Sequence, residues 1–414
     1  MTVSSILCWA TLALSLQPES SSGPPLDSVR PGPIHGLEIY TQNQWASNAI
    51  TKWAMAGLAF GGDISSPLRV LSDRTHRRGV GVGGGSSRSG VALVLPSARL
   101  GGEPEKGRWQ TTVALEHQQV VTAQWTPGLA HLLIGPEGPE ATTSGALGFS
   151  SYQRLAATSL KVGGIRTHQT SLQSTPVDMT LRWSVNAGEM HISEGGAIQE
   201  GSHYLWDQDS LKVGLTASSL IPFGVGTLVS MDLGVAIEES SGSGGRPDRW
   251  SVCILDWGSA RFRGGAFNRV DTTYAEAGLI LFDGADLDGV NVFMSDTLTG
   301  TIRRRMPSTI RFQWDRKALR HPGVEWSFRM ERNRMAPRPQ AEFVRSSGRG
   351  AVRTTVGIGY GGWGGTYIPL NLEFAARAVR QGRPGGTLSV STRWLALPGS
   401  GGRMALGLNW HQTF

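Results

Sequence analysis

From about residue 110 onward, apolar and polar side chains alternate one for one in segment after segment. A period of two means strands with one face in an apolar medium and the other in a polar one. Met179, Leu181, Trp183, Val185 and Ala187 interleave with Thr180, Arg182, Ser184 and Asn186. Leu211, Val213, Leu215 and Ala217 interleave with Lys212, Gly214, Thr216 and Ser218, and the segment Val229 to Ile237 sets its apolar members against Ser230, Asp232, Gly234, Ala236 and Glu238. Later segments around Ile310, Val324, Val356, Ile368 and Leu388 read alike, with Arg311, Glu325, Arg329, Glu373 and Arg393 in the polar phase.

A soluble β-sandwich also alternates, so other features must decide. The runs extend to roughly 9 to 11 residues, the length that crosses a bilayer at a tilt and about twice that of an ordinary strand. Trp183, Trp250, Trp257, Trp326, Tyr360, Trp394 and Trp410 fall near the run ends, where aromatic girdles belong. Charged residues make up 17% of the chain, below the roughly 25% of soluble domains. Past the first twenty positions no stretch approaches the roughly 20 apolar residues of a spanning helix, so a bilayer could be crossed only by a closed barrel. The sequence therefore predicts an all-β fold, a transmembrane antiparallel barrel of about 14 strands at about 25 to 28 residues per strand and connection.

The chain divides into a signal peptide at 1–16, a flexible leader at 17–36 and a single barrel at 37–414. Ile6 to Leu16 is an apolar run of signal length with Ala13, Leu14 and Ser15 as a cleavage site, although Met1 to Ser5 carries no Lys or Arg. A buried helix is the competing reading of that run. The residues before Cys8 do not form a good lipobox, and Cys253 is then the lone cysteine of the mature chain, which excludes a disulfide framework. Trp45, Ala49, Trp53, Ala56 and Phe60 recur at helical spacing, so 45–60 reads as a short amphipathic helix, with Trp45 and Trp53 as residues plugging the lumen or lying against the barrel. The Gly-rich stretch 79–90 lacks a phosphate-loop Lys and reads as strand and turn.

No chemistry of an enzyme assembles. There is no Gly-x-Ser-x-Gly elbow, and His117, His131, His168, His191, His203 and His321 lie in separate predicted elements without ligand spacing. The acidic run 283–288 lacks the closing Glu of a calcium loop. No cofactor or metal is expected. The net charge of +7 comes without a recognition-helix pattern, which argues against nucleic acid. Dispersed Arg suits a polar interior or an outer rim facing anionic lipid headgroups. With the alternation so phased, Arg182, Lys212, Asp232, Arg311, Glu325, Arg329, Glu373 and Arg393 are the expected lumen-facing residues. They form either a ladder of ion pairs bracing the wall or a positive constriction for anionic solutes.

Two stretches, LVSMDLGVAIEESSG at 228–242 and RWSVCILDWGSARFRG at 249–264, together with GLAFGGDIS at 57–65, Met306-Pro307-Ser308 and GYGGWGG at 359–365, carry a resemblance. They resemble an uncharacterised family of Bacteroidota outer-membrane barrels, a domain of unknown function distantly similar to long-chain fatty-acid transporters. In the same way, Trp410 and Phe414 in one phase with Met404, Leu406 and Leu408 resemble the C-terminal assembly signal of outer-membrane barrels. The resemblance implies an outer-membrane address, outer-membrane lipids and the barrel-assembly machinery as partners, and passive passage of small hydrophobic or amphipathic solutes. The alternative is a non-transporting barrel that anchors or assembles with lipoproteins or secretion components.

Overall fold

The computed structural model describes residues 36–48, 79–95, 108–134, 143–172, 175–207, 210–239, 248–278, 292–317, 324–349, 351–375, 385–396 and 403–413. The apolar run at 6–16, the leader up to residue 35, Trp53, His321, the acidic run at 283–288 and Phe414 lie outside the described residues.

The elements in chain order are β1 (Gly36–Ser47), β2 (Gly81–Leu95), β3 (Arg108–Trp125), helix α1 (Pro127–Ile134), β4 (Thr143–Ala146), β5 (Ser150–Leu172), β6 (Thr175–Ile198), β7 (His203–Asp207), β8 (Ser210–Pro222) and β9 (Gly226–Glu239). They continue with β10 (Asp248–Gly278), β11 (Val292–Arg305), β12 (Thr309–Lys317), β13 (Val324–Asn333), β14 (Gln340–Arg349), β15 (Val352–Gly361), β16 (Tyr367–Ala375), β17 (Gly385–Ala396) and β18 (Arg403–Thr413).

Every pairing is antiparallel, and the wall is a closed circuit of fourteen strands: β1, β2, β3, β5, β6, β9, β10, β12, β13, β14, β15, β16, β17 and β18. The circuit closes where β1 pairs with β18 from Gly36↔Thr413 to Ala46↔Arg403. Closure removes the sheet edge, the one backbone arrangement other than a helix that lipid tolerates. At the end where β1 begins and β18 finishes, the connections are short, spanning 96–107, 173–174, 240–247, 318–323, 350–351 and 376–384. At the other end they include 48–80, 126–149, 199–225 and 279–308.

Beyond that long-loop end the sheet continues as an extension built from β4, β7, β8, β11 and the outer half of β10. Helix α1 packs there. Pro127 opens it and Thr126 caps it, its Oγ1 accepting from Leu129 N at 3.2 Å, a combination that satisfies a first-turn donor and fixes φ at the start. Leu147 and Tyr204, both buried, form a small core with Leu129, Leu132, Val213 and Leu215.

Two expectations are corrected. Lys212 lies on β8, which pairs with β7 and with the outer half of β10, so it belongs to the extension and not to the lumen wall. Alternation reports which residues share a face but is silent on the partner strand. Trp45 is not in a helix: Gly36–Ser47 is a wall strand, with Trp45 paired to Met404 and Gly85. Its neighbours Gln44 and Ala46 face inward, which turns Trp45 to the outer face. The 3–4 spacing that suggested a helix starts only at the end of this strand. The Gly-rich stretch is likewise a full wall strand, β2, in which Gly84 faces the lumen.

Each wall strand contributes at least one exposed large apolar side chain to the outside, from Ile39 and Val91 through Leu160, Leu181, Leu233 and Val252 to Ile310, Met330, Phe343, Ile358, Leu370, Leu388 and Leu408. Towards the short-loop end an aromatic band runs over β10, β12, β13 and β14. Trp250 and Trp314 centroids are 5.6 Å apart, and Trp326 stacks on Phe343 at 5.3 Å with the Arg345 guanidinium over its ring. Inward, by contrast, sit Glu116, Gln118, Lys161, Asn186, Asp232, Gln313 and Glu342, all buried. A closed sheet, apolar outside and polar inside, is the layout of an outer-membrane barrel, and the protein resides in the outer membrane.

Candidate functional site

The lumen contains two distinct levels. The first lies at the depth of the apolar belt, because its residues alternate with belt residues: Lys161 between Leu160 and Val162, Asp232 between Met231 and Leu233. Lys161 Nζ reaches Asp256 Oδ1 at 2.9 Å, Glu116 Oε1 at 3.0 Å and Asp232 Oδ2 at 3.1 Å. Arg88 pairs with Glu116 at 3.4 Å and with Asp256. Tyr40 donates its hydroxyl to Glu116 Oε2 at 2.6 Å. Asn186 donates to Asp232 Oδ1 at 3.1 Å and Ser184 Oγ lies 3.0 Å from Oδ2 of the same carboxylate.

This network ties β1, β2, β3, β5, β6, β9 and β10 together, half of the wall, and the Arg88–Asp256 pair reaches across the lumen from β2 to β10. A bulge makes the geometry. Between Ile254 and Trp257 two residues of β10 oppose the single Asp232 of β9, and Asp256 takes a left-handed φ of 55°. The kink places the Asp256 carboxylate among the cations while its N–H donates to Asp232 Oδ1 at 2.6 Å. Asp tolerates that conformation better than most residues.

The remaining wall carries separate braces. Arg311 donates to Glu331 at 3.0 Å, Arg353 pairs with Glu325, and Arg393 spans to Glu342 at 2.8 Å and to Gln44 at 2.8 Å. Tyr367 donates to Glu342 at 2.6 Å, and Asn409 to Glu38 at 2.7 Å. Of the residues expected to face the lumen, Asp232 is central to the network, and Arg311, Glu325 and Arg393 are in braces. Arg329 lies opposite Gln313 and Glu342, Glu373 opposite Arg353, and Arg182 on the inner face opposite Gly234. Trp410 pairs with Ile39 and Leu388 and so sits on the outer face. Lys161, Glu116, Arg88, Asp256 and Tyr40 were missed. Glu116 and Lys161 stand in strands whose partners include Thr, Gln, Ala and Gly, where the period is faint, and Arg88 stands in the Gly/Ser-rich stretch.

The second level closes the long-loop mouth and is apolar. Leu155, Met190, Leu228, Ala260 and Phe262 face inward from β5, β6, β9 and β10, and Met306 packs on them with Ile302 and Met335. Ala46 of β1 and Val120 of β3 meet Ala336 and Trp363, again with Met335 against them. The β13–β14 turn at 334–339 thus contributes to both clusters and bridges the mouth. Asn333 fixes it: its Oδ1 accepts from Met335 N at 2.9 Å while its amide donates to Thr309 Oγ1 at 3.0 Å. Trp363, from the Gly-rich turn after β15, is 2% exposed and donates to Thr122 Oγ1 at 3.3 Å. Gly84 accommodates it, since a Cβ there would stand 2.5 Å from the indole nitrogen. An inward plug exists, but its described part comes from these turns and not from Trp45.

On the outer face, His117 Nδ1 and His191 Nε2 both approach Thr158 Oγ1, at 3.0 and 3.2 Å. The histidines are therefore closer than their separate elements suggested, yet no group of three metal-ligating side chains occurs among the described residues. Cys253 is free and buried on the inner face.

Comparison with known proteins adds little to this geometry. No protein-family model and no curated protein matches the chain, so the Bacteroidota family gains no support. Among solved structures it is similar to the Ralstonia pickettii toluene transporter TbuX, at 8% identity and a TM-score of 0.42, over 92% of this chain and 90% of that one. It is also similar to a TodX monoaromatic hydrocarbon channel mutant, at 8% identity and a TM-score of 0.45, over 92% and 91%. At that level the likeness carries no argument about solutes.

Proposed function

We propose that the barrel carries small hydrophobic or amphipathic solutes passively across the outer membrane. One observation supports this above the others: the inner wall at the long-loop mouth is apolar. A water-filled pore is lined by polar side chains. Here Leu155, Met190, Leu228 and Phe262 point inward and are covered by Met306 and Met335. Thioether side chains are unbranched and adaptable, so they can part around an apolar molecule and close behind it. Outer-membrane barrels have short periplasmic turns and longer extracellular loops, so this mouth faces outward and the solute meets it first. Below it the network around Lys161 presents a charged floor, on which an amphipathic solute would turn its polar end downward.

A structural barrel, the alternative, calls for a lumen filled with bulky charged residues. The network meets that requirement at mid-depth, but the apolar mouth does not. The test is flux into liposomes holding the refolded protein, comparing a radiolabelled fatty acid and toluene with a disaccharide of similar size. Entry of the apolar solutes alone, reduced severalfold by Phe262→Asp, is the expected result. Equal entry of the disaccharide, or apolar flux no greater than in empty liposomes, would end the proposal.

A further inference from the structure

Just above the apolar belt, the outer face of β10 and β11 carries a compact group of arginines. Arg261 and Arg303 are directly opposite each other in the ladder, and Ser259 is opposite Arg305. Cross-strand partners point to the same side, and Arg261, Arg303 and Arg305 are all exposed, with the exposed Arg263 in the adjacent bulge. Arg303 Nε donates to Ser259 Oγ at 2.8 Å, and no carboxylate pairs with Arg261, Arg303 or Arg305 among the described residues. The nearest acid in that row is Glu189, which faces Thr227, the cross-strand neighbour of Arg261. That leaves it two strands away, about 10 Å at normal strand spacing. Like charges directly opposite each other destabilise a sheet unless an anion sits between them.

Position identifies the anion. Arg305 shares its row with Ser259 and Val229, and Val229 and Trp257, 58% and 61% exposed, are the belt residues immediately beneath the arginines. The patch therefore sits where acyl chains give way to headgroups, and the lengths of the connections put it at the outer leaflet. We infer that Arg261, Arg303 and Arg305 form a binding site for a phosphate group of an outer-leaflet glycolipid, whose acyl chains lie against Val229 and Trp257. Guanidinium forks grip phosphate in a bidentate manner, which an ammonium cannot do. The inference depends on the outer-membrane location and the orientation, not on the transport reading.

Native mass spectrometry of the refolded barrel in neutral detergent, titrated with bisphosphorylated lipid A and with its dephosphorylated form, tests it. The wild type should hold the phosphorylated lipid, and the Arg261→Gln/Arg303→Gln/Arg305→Gln variant should bind it about a hundredfold more weakly, about fivefold for each arginine. Dephosphorylated lipid A should bind the wild type as weakly as the variant binds the phosphorylated form. Arg166→Gln, at the opposite end of the wall, should change nothing. Arg261→Gln alone, which leaves the Arg303–Ser259 bond in place, gives the fivefold step should the triple variant fail to show a folded band. Unchanged binding by these variants, indifference to the phosphates, or an equal loss in Arg166→Gln would overturn the site.

Discussion

Lys161 touches three carboxylates from three different strands, and that makes it the most informative single side chain in the lumen. Burying an ion group of this kind costs desolvation, which the contacts roughly offset, so the network as a whole is weak evidence for stability. Removing one member is another matter. Lys161→Met would leave Glu116, Asp232 and Asp256 sharing Arg88 alone, and an uncompensated buried charge costs about 3 to 5 kcal/mol. The urea midpoint for loss of the heat-shifted gel band should fall accordingly in Lys161→Met and largely recover in Lys161→Arg. An unchanged midpoint would mean that the group does not brace the wall. The sequence announced only part of this group. Asp232 was legible because Met231 and Leu233 flank it in a clean alternation, whereas Asp256 was hidden by its own bulge, which breaks the period of two at the residue that matters.

Alternation at the scale of whole elements gave the wall strands β6, β9, β12, β13 and β15 to β18, because a side chain facing lipid and one facing the lumen cannot be exchanged without burying a charge in the belt. It could not tell β8 from a wall strand, since Leu211 to Ala217 alternate while lying outside the circuit. Nor could it foresee the plug, which is made of turns: residues 334–339 and Trp363 carry no periodicity, and their inward course depends on the room left by small wall residues such as Gly84 and Ala46. Trp363→Ala would remove the largest buried side chain of the mouth and cost about 3 to 5 kcal/mol where the cavity fails to collapse. Single-channel recordings in a planar bilayer should show a higher conductance for Trp363→Ala than for the wild type, with the folded band retained on the gel. Equal conductance would show that the turn cluster does not limit passage.

Over the whole molecule, stability rests on closure, and closure rests on one strand at each end of the described chain. β18 pairs with β17 along Gly385–Thr392 and with β1 along Gly36–Ala46, so among the described residues its eleven residues carry the backbone ladder that joins β17 to β1. Removing it would expose two unpaired backbone edges to the bilayer, each unsatisfied group costing several kcal/mol, and no rearrangement of side chains can restore those bonds. Deletion of residues 403–414 is therefore expected to abolish the heat-shifted band altogether, whereas Trp410→Ala, which alters one outward side chain beside Ile39 and leaves every ladder bond in place, should keep it. The paired outcome separates two roles for this segment. Loss of the band in the deletion alone makes β18 a structural closure. Loss in both when folding is attempted in cells, but only in the deletion when the protein is refolded in detergent, would assign Trp410 to assembly. A folded band from the deletion would contradict the closed circuit itself.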